Sequence, residues 1–153
     1  MIIVSSCLAG VKCRYDGNDN LVPEIKELVL SGRAIALCPE ELGDLSTPRI
    51  PCEIVKKDNQ LKVMTKDQVD CTAQFLLGAG KVAQIAKILD CKQAILKANS
   101  PSCGYGMIYD GSFTGEKIKG NGLTAELLSK QGVEIKNETN MNFSILNYTQ
   151  END

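Results

Sequence analysis

Residues 1–7 read MIIVSSC, and this stretch decides the fold. Its continuous apolar run is typical of a strand buried on both faces, because a sheet covered by helices on both sides has no solvent-facing positions. Three similar short runs follow, AIAL at 34–37, QAILK at 93–97 and VEI at 133–135. Helical patterns separate these runs, so the sequence predicts an α/β fold with a mainly parallel sheet.

Short elements are predicted between the four strands. Residues 22–30 and 123–130 have the apolar spacing and end signals of helices. A small β-hairpin is predicted over 53–63, where two strand-like runs flank a KDNQ turn. Residues 38–52 and 99–122 read as two long loops, because they are rich in turn-forming residues.

A longer helix is predicted in the middle of the chain. The TKDQ sequence at 65–68 matches a capping box, from which helical spacing continues to about residue 89. Gly78 and Gly80 lie inside this pattern, and each weakens a helix by about 1 kcal/mol relative to alanine. We therefore expect close packing at both glycines.

This order of elements predicts one three-layer α/β/α domain with a Rossmann- or flavodoxin-like sheet in the strand order 2-1-3-4. We expect the domain to cover residues 1–153, with a C-terminal tail from about residue 140 and a short helix near 143–146. The chain is long enough for one such domain with its own core.

The composition limits the partners. A net charge of −2 lacks the basic footprint of proteins that bind extended nucleic acid. No apolar run approaches the roughly 20 residues that span a bilayer, and the apolar N-terminus has no basic residues before it, unlike a signal peptide. We expect a cytoplasmic protein that binds a small molecule, whose oligomeric state stays open.

The chain has seven cysteines and no histidine. The absence of histidine excludes His-dependent triads, a histidine general base and the commonest zinc and non-haem iron sites. Cytosolic thiols rarely form structural disulfides, and an odd number cannot all pair within one chain. Any metal would therefore be held by cysteine or carboxylate.

Three cysteines follow the predicted strands. Cys7 lies just after the first strand, Cys38 directly after the second, and Cys103 a few residues after the third. Ligands of open parallel sheets bind at the carboxyl ends of the strands, so we expect these thiols to converge. Such a set suits a soft metal or an iron–sulfur cluster. A zinc site and a cluster-free persulfide chemistry with Cys103 as nucleophile remain the alternatives.

The other four cysteines have less distinctive positions. Cys52, Cys71 and Cys91 suit structural roles, since free cysteine is among the most buried residue types. Cys13 lies close to the predicted site, where it is a bystander, a spare thiol or a redox partner.

Three loops carry a resemblance to a known family. They read VSSCLAGVKCRYDG at 4–17, LCPEELGDLSTPR at 37–49 and LKANSPSCGYGMIYDGSF at 96–113. Together they resemble the signature loops of a bacterial family long described as a domain of unknown function and now associated with thiouracil desulfurase. The resemblance covers nearly the whole chain apart from its C-terminal tail. The chain departs from the pattern at Asp44, where a second glycine is expected after Gly43.

The resemblance implies an enzyme that removes sulfur from a small thiolated substrate such as a thio-nucleobase, in a non-redox reaction of hydrolytic type. It also implies a 4Fe-4S cluster held by Cys7, Cys38 and Cys103, with the fourth iron open to the thiocarbonyl sulfur. Glu40 in the CPE motif and Ser100 in SPSC match the family's acid/base residues.

Further residues of these loops are candidates for holding the substrate or the cluster sulfides. Their side chains are equally suited to salt bridges and turns within the loops, and the tripeptide YDG, which occurs at 15–17 and 109–111, is itself a turn sequence. The candidates are Arg14, Asp16, Arg49, Ser102, Tyr109 and Asp110.

Overall fold

The fold is described for residues 1–141 of a computed structural model. Strands and helices alternate along this part of the chain. In order they are β1 (Ile2–Ser5), a 3-10 helix (Ser6–Ala9), α1 (Pro23–Leu30), β2 (Ala34–Leu37), α2 (Pro39–Leu42), β3 (Cys52–Lys57), β4 (Gln60–Thr65), α3 (Thr72–Ile88), β5 (Gln93–Leu96), β6 (Met107–Tyr109), β7 (Lys117–Lys119), α4 (Leu123–Lys130) and β8 (Glu134–Asn137). The predicted tail helix near 143–146 lies outside the described residues.

Four parallel strands form the central sheet in the order β2-β1-β5-β8. This confirms the α/β class and the predicted 2-1-3-4 order. Strand β1 is internal and pairs Ile2 with Ala34 of β2 and with Gln93 of β5. Its central place explains why all four of its residues are buried.

Helices cover both faces of this sheet. Ile2 packs with Ile25 of α1 on one face. Its neighbour Ile3 lies on the opposite face, where it packs with Val82 of α3 and Leu128 of α4. Successive strand residues alternate between faces, so one short apolar run supplies both cores. Burying each such side chain contributes about 1.5–3 kcal/mol.

Helix α3 begins later than the sequence predicts. The TKDQ sequence at 65–68 forms a turn, in which Thr65 Oγ1 accepts the Val69 N–H at 2.9 Å. The Asp70 carboxylate then accepts the Thr72 N–H at 2.9 Å, and the helix starts there. The capping-box prediction was wrong because Thr65 is the last residue of β4, whose hairpin pairing keeps its backbone extended.

Close packing occurs at only one of the two α3 glycines. A Cβ atom on Gly78 would lie 1.8 Å from the carbonyl oxygen of Pro39, so α2 rests directly on α3. From the other side, a Cβ on Gly43 would lie 2.0 Å from the Gln74 oxygen. A Cβ on Gly80 would meet no atom within 4 Å, so the expectation was wrong there.

The residue after Gly43 explains the departure from the family pattern. Asp44 has a φ of +70°, in the left-handed region that favours glycine. Asp and Asn are among the non-glycine residues enriched in that region, so Asp44 adopts a backbone conformation that glycine also favours.

The two long segments predicted as loops contain short elements. The 38–52 segment includes α2, and the 99–122 segment includes the antiparallel pair β6–β7. Elements of three or four residues are too short to show a periodic pattern. The hairpin predicted over 53–63 is confirmed as β3–β4. No helix among the described residues has the length and apolar character needed to cross a membrane.

Candidate metal centre

A cavity of about 640 Å³ opens at the carboxyl ends of the parallel strands. Cys7 enters it from the 3-10 helix after β1, and Cys38 from the junction of β2 with α2. Cys103 enters it from the loop after β5. The structure therefore brings the three cysteines of the sequence prediction to one cavity, as expected for ligands at this edge of a parallel sheet.

A fourth cysteine, Cys13, lies in the same cavity. Gly10, with a φ of +95°, turns the chain back after the 3-10 helix and returns Cys13 to the side of Cys7. The Sγ atoms of Cys13 and Cys38 lie within 4.8 Å of each other. The sequence placed Cys13 near the site as a bystander, a spare thiol or a redox partner, and in the structure its thiol contacts two of the predicted ligands, Cys7 and Cys38.

Three of these thiols form a hydrogen-bonded group with different acidities. The Cys13 thiol donates to Cys7, which lowers the pKa of Cys7 to about 7 against the opposing effect of burial. The same thiol lowers the pKa of Cys38. Cys13 itself has a raised pKa, because its proton is shared with Cys38 and Cys7. Cys7 and Cys38 are thus the thiols of the cavity that lose their protons most readily.

Cys103 is held differently. Its side chain is deeply buried, and burial raises its pKa to about 12. The Ser5 hydroxyl donates to its Sγ at 3.3 Å and favours the thiolate, whereas Ser102 Oγ lies 3.7 Å from the sulfur and donates its single proton to Glu40. A bound metal deprotonates its thiol ligands, so the Ser5 donor would support Cys103 once a soft metal is present.

A carboxylate and two serines lie beside Cys103. Glu40 Oε1 accepts from Arg49 Nε at 3.1 Å, and Glu40 Oε2 accepts from Ser102 Oγ at 3.0 Å. Ser100 Oγ accepts the Cys103 N–H at 2.8 Å and lies 3.4 Å from Ser102 Oγ. The two serines and the carboxylate therefore form one continuous chain along the cavity wall.

Arg49 joins two of the signature loops. Its Nη2 donates to the Cys13 carbonyl at 2.8 Å, and its Nη1 donates to Ser46 O at 3.2 Å and Thr47 Oγ1 at 2.9 Å. With the Glu40 contact, every guanidinium nitrogen has a protein oxygen as partner. The side chain is only 8% exposed. The structure thus uses Arg49 to hold the cavity wall together.

The remaining candidates are divided between the cavity and its surroundings. Arg14 and Tyr109 line the cavity. Asp16 and Asp110 are not among its lining residues; each carboxylate accepts the N–H two residues further along, at 3.0 and 2.9 Å. Asp16 also pairs with Arg14 Nη2 at 3.1 Å. Both copies of YDG therefore form the same turn.

Several cavity residues were missed from the sequence. Lys97 directly follows β5, so the rule that drew attention to the cysteines could also have identified it. Asn20 and Phe113 in loops and Glu53 in β3 had no such signal, because tertiary contacts place these segments against the cavity. Among the accessory cysteines, Cys52 lines the cavity, whereas Cys71 and Cys91 are buried in the cores.

The donor set fits a soft metal group. Five cysteines line one cavity of a chain that has no histidine, and thiolates are the ligands of iron–sulfur clusters. Hydrogen bonds to cysteine sulfur, such as that of Ser5, are a usual support for such ligands.

Comparisons with known proteins extend this description. The family model for 2-thiouracil desulfurase matches residues 2–140. A curated relative, the uncharacterized protein YbbK of Bacillus subtilis (strain 168), is 43% identical over 148 residues, which cover 93% of this chain and 98% of the relative. A solved structure of a 4Fe-4S-dependent thiouracil desulfidase, TudS, matches with a TM-score of 0.86 at 37% identity, over 97% of each chain.

Proposed function

Since this chain belongs to the 2-thiouracil desulfurase family, we propose that it is a 4Fe-4S-dependent enzyme that removes sulfur from a small thiolated substrate such as a thio-nucleobase. The observation that carries the proposal is the meeting of a carboxylate–serine chain with four cysteine thiols from the loops that follow β1, β2 and β5 in one cavity; the four are Cys7, Cys13, Cys38 and Cys103. The family match and the similarity to a solved desulfidase support it.

Three of the four thiols would hold the cluster. The motif resemblance assigns Cys7, Cys38 and Cys103, and Cys13 is the competing ligand because it contacts both Cys7 and Cys38. A cluster with three protein ligands supplies an open iron, a soft Lewis acid that binds a thiocarbonyl sulfur and polarises the carbon–sulfur bond.

Glu40 is the candidate general base for the attacking water. Its carboxylate is oriented by Arg49 on one oxygen and Ser102 on the other, so it is held at a defined place in the cavity wall. The water oxygen adds to the thiocarbonyl carbon as Glu40 takes one proton and the carbon–sulfur double bond becomes single; the hydroxyl then loses its proton to form the carbonyl as the remaining carbon–sulfur bond breaks, and Glu40 can return its proton to the leaving sulfur. The products are the carbonyl compound and hydrosulfide, so no electron donor is needed.

Ser100 and Ser102 have distinct parts in this scheme. Ser102 donates to Glu40 and is 1% exposed, so it orients the carboxylate from within the protein. Ser100 lies 3.4 Å from Ser102 and takes part in the same hydroxyl chain. It is therefore the candidate for passing a proton between the cavity and that chain.

Two alternatives each have one observation in their favour. A cluster-free sulfur transfer is favoured by the pKa of Cys7, lowered to about 7. Cys103 is unsuited as its nucleophile, since burial keeps that thiol protonated. A zinc site is favoured by Cys13, Cys38 and Glu41, whose ligand atoms all lie within 4.8 Å of one another.

Anaerobic reconstitution with iron and sulfide tests the proposal. We expect about four iron and four sulfide per chain and release of hydrosulfide from 2-thiouracil. Single alanine variants of Cys7, Cys13, Cys38 and Cys103 should lose iron at three positions and retain it at the fourth. Cys91→Ala is the control, because Cys91 is buried away from the cavity.

Two results would contradict the proposal. One is wild-type protein that binds zinc but no iron, and the other is iron-loaded protein that releases no hydrosulfide from any thiolated base. A persulfide on Cys7, detected by mass spectrometry after exposure of iron-free protein to a sulfane-sulfur donor such as thiosulfate, which releases sulfite as it transfers its outer sulfur, would favour the transfer mechanism.

A further inference from the structure

Aromatic side chains gather at the cavity. Tyr15, Tyr109 and Phe113 line it, although the whole chain has only four tyrosines and three phenylalanines and no tryptophan. Ile50 and Pro51 continue the same lining with apolar surface. A wall of this kind suits a flat ring, since aromatic faces stack on one another with a specific geometry.

Among these three rings, Phe113 stands out. The Arg14 guanidinium carbon lies 5.7 Å from the centroid of Tyr15, so that ring already has a cationic partner. Tyr109 belongs to β6 and carries a polar hydroxyl. Phe113 is in the loop that follows, and it has a φ of +59°. A bulky residue with positive φ is a conformational outlier, and such outliers occur where the surroundings enforce them, often at binding sites.

The loop of Phe113 is clamped by a carboxylate. Glu53 Oε1 accepts the Gly111 N–H at 3.0 Å and the Phe113 N–H at 3.2 Å. Gly111 lies flush against β3, because a Cβ there would come within 2.7 Å of the Ile54 oxygen. One carboxylate oxygen thus holds both amides, and the close approach of Gly111 prevents the loop from moving towards β3.

We propose that Phe113 is the stacking platform for a planar heteroaromatic ring and that Glu53 is the positioning residue that holds it. The inference rests on the proposed function and deepens it. Phe113 and Glu40 line the same cavity as the candidate cluster ligands, so a ring stacked on Phe113 leaves its edge, which carries the thiocarbonyl group, available to the reacting groups. The cavity should then bind planar conjugated substrates more tightly than saturated ones.

Uracil and 5,6-dihydrouracil form a matched pair of probes, since they share the amide edge and differ in the planarity of the ring. Calorimetry on the reconstituted protein should show tighter binding of uracil. Loss of one base–aromatic stack weakens binding by about 5- to 150-fold. Phe113→Leu should weaken uracil binding by this factor and leave the affinity for dihydrouracil within about twofold of the wild type. Phe113→Trp should keep the preference for uracil.

The control for the ring is Tyr105→Leu, because Tyr105 is 40% exposed and is not among the residues that line the cavity. This variant should bind both probes as the wild type does. If Phe113→Leu does not fold, Phe113→Gly replaces it, since glycine accepts the positive φ without strain.

The clamp is tested with Phe113 intact. Glu53→Ala leaves the Gly111 and Phe113 amides without their acceptor, so it should reduce the preference for uracil over dihydrouracil by a similar factor. Glu53→Gln keeps an acceptor oxygen in place and should retain most of that preference. A merely structural role of Glu53 would lower the melting temperature of both variants without changing the ratio of the two affinities.

Binding of uracil requires no turnover, so the two proposals fail separately. Active, iron-loaded protein that does not prefer uracil over dihydrouracil, or that keeps its preference in Phe113→Leu, overturns the stacking platform. Protein that binds uracil selectively through Phe113 but releases no hydrosulfide overturns the desulfurase proposal and leaves the platform in place.

Discussion

Alanine at Gly78 and at Gly80 should have opposite effects on stability, although the two residues lie two positions apart in α3. Alanine has a higher helix propensity than glycine by about 1 kcal/mol, and this gain applies to both sites. At Gly80 nothing opposes it, because the added methyl group meets no atom within 4 Å. We expect Gly80→Ala to stabilise the fold by about 0.5–1 kcal/mol.

At Gly78 the same methyl group would lie 1.8 Å from the Pro39 oxygen. Non-bonded heavy atoms have their optimum at about 3.5–4.0 Å, so α2 and α3 must separate by well over 1 Å. Overpacking usually costs about 1–3 kcal/mol, and we take the upper end, about 3 kcal/mol, because the obstacle is rigid backbone. After subtraction of the propensity gain, we expect a net loss of about 2 kcal/mol.

The displacement also affects the cavity, because Pro39 lies between Cys38 and Glu40. A misplacement of about 1 Å in a catalytic group can cost about 100-fold in rate. Gly78→Ala should therefore lose desulfurase activity by about this factor, whereas Gly80→Ala should keep it.

Thermal and urea unfolding measure the stability part of this prediction. For a chain of this size, 1 kcal/mol corresponds to about 2–4 °C in melting temperature. We expect Gly78→Ala to melt about 4–8 °C lower and Gly80→Ala about 1–4 °C higher than the wild type. If both variants change stability in the same direction, the close packing inferred at Gly78 is refuted.

Two further predictions concern the thiols and the buried ion pair. In reduced, cluster-free protein, the rate at which iodoacetamide modifies Cys7 should rise with pH through a midpoint near pH 7, because only the thiolate reacts. Cys13→Ala should move this midpoint to higher pH, because the S–H donor to Cys7 is lost. Cys52, whose pKa burial raises to about 12, should stay unmodified at pH 8, and peptide mass spectrometry showing equal modification of both thiols would contradict the assignment. Arg49→Lys should lower the free energy of unfolding by about 2–4 kcal/mol, because a single ammonium cannot replace the buried guanidinium contacts, whereas Arg14→Lys, at a partly exposed pair, should cost less than about 1 kcal/mol. Equal urea midpoints for the two lysine variants would show that the Arg49 contacts do not stabilise the fold.

Local sequence patterns were sufficient for the framework of the fold. The IIVS run of β1 was predicted because burial on both faces requires a continuous apolar run, and the helix at 123–130 because its apolar residues have helical spacing. Both patterns are visible within a few residues of sequence. The start of α3 was not predictable in the same way. The Thr65 hydroxyl can cap a helix or close a turn, and the pairing of β4 with β3 decides between them.

The site residues show the same contrast between what local sequence patterns predict and what tertiary contacts decide. Cys7, Cys38 and Cys103 could be brought together from the sequence, because each follows a parallel strand whose carboxyl end lies at one edge. The contact of the Cys13 thiol with Cys7 and Cys38 could not be predicted, since it depends on the turn at Gly10. The clamp on Phe113 likewise joins β3 to a loop far along the chain, and this separation hides their contact.

By itself, the sequence determined the α/β class and the soft character of the ligands, because these depend on local apolar runs and on which residue types are present. Only the tertiary structure decided which groups meet. Ser102 reaches Glu40 across 62 positions of sequence, and Glu53 reaches Phe113 across 60. Such contacts are products of strand order and helix packing, and no local pattern carries them.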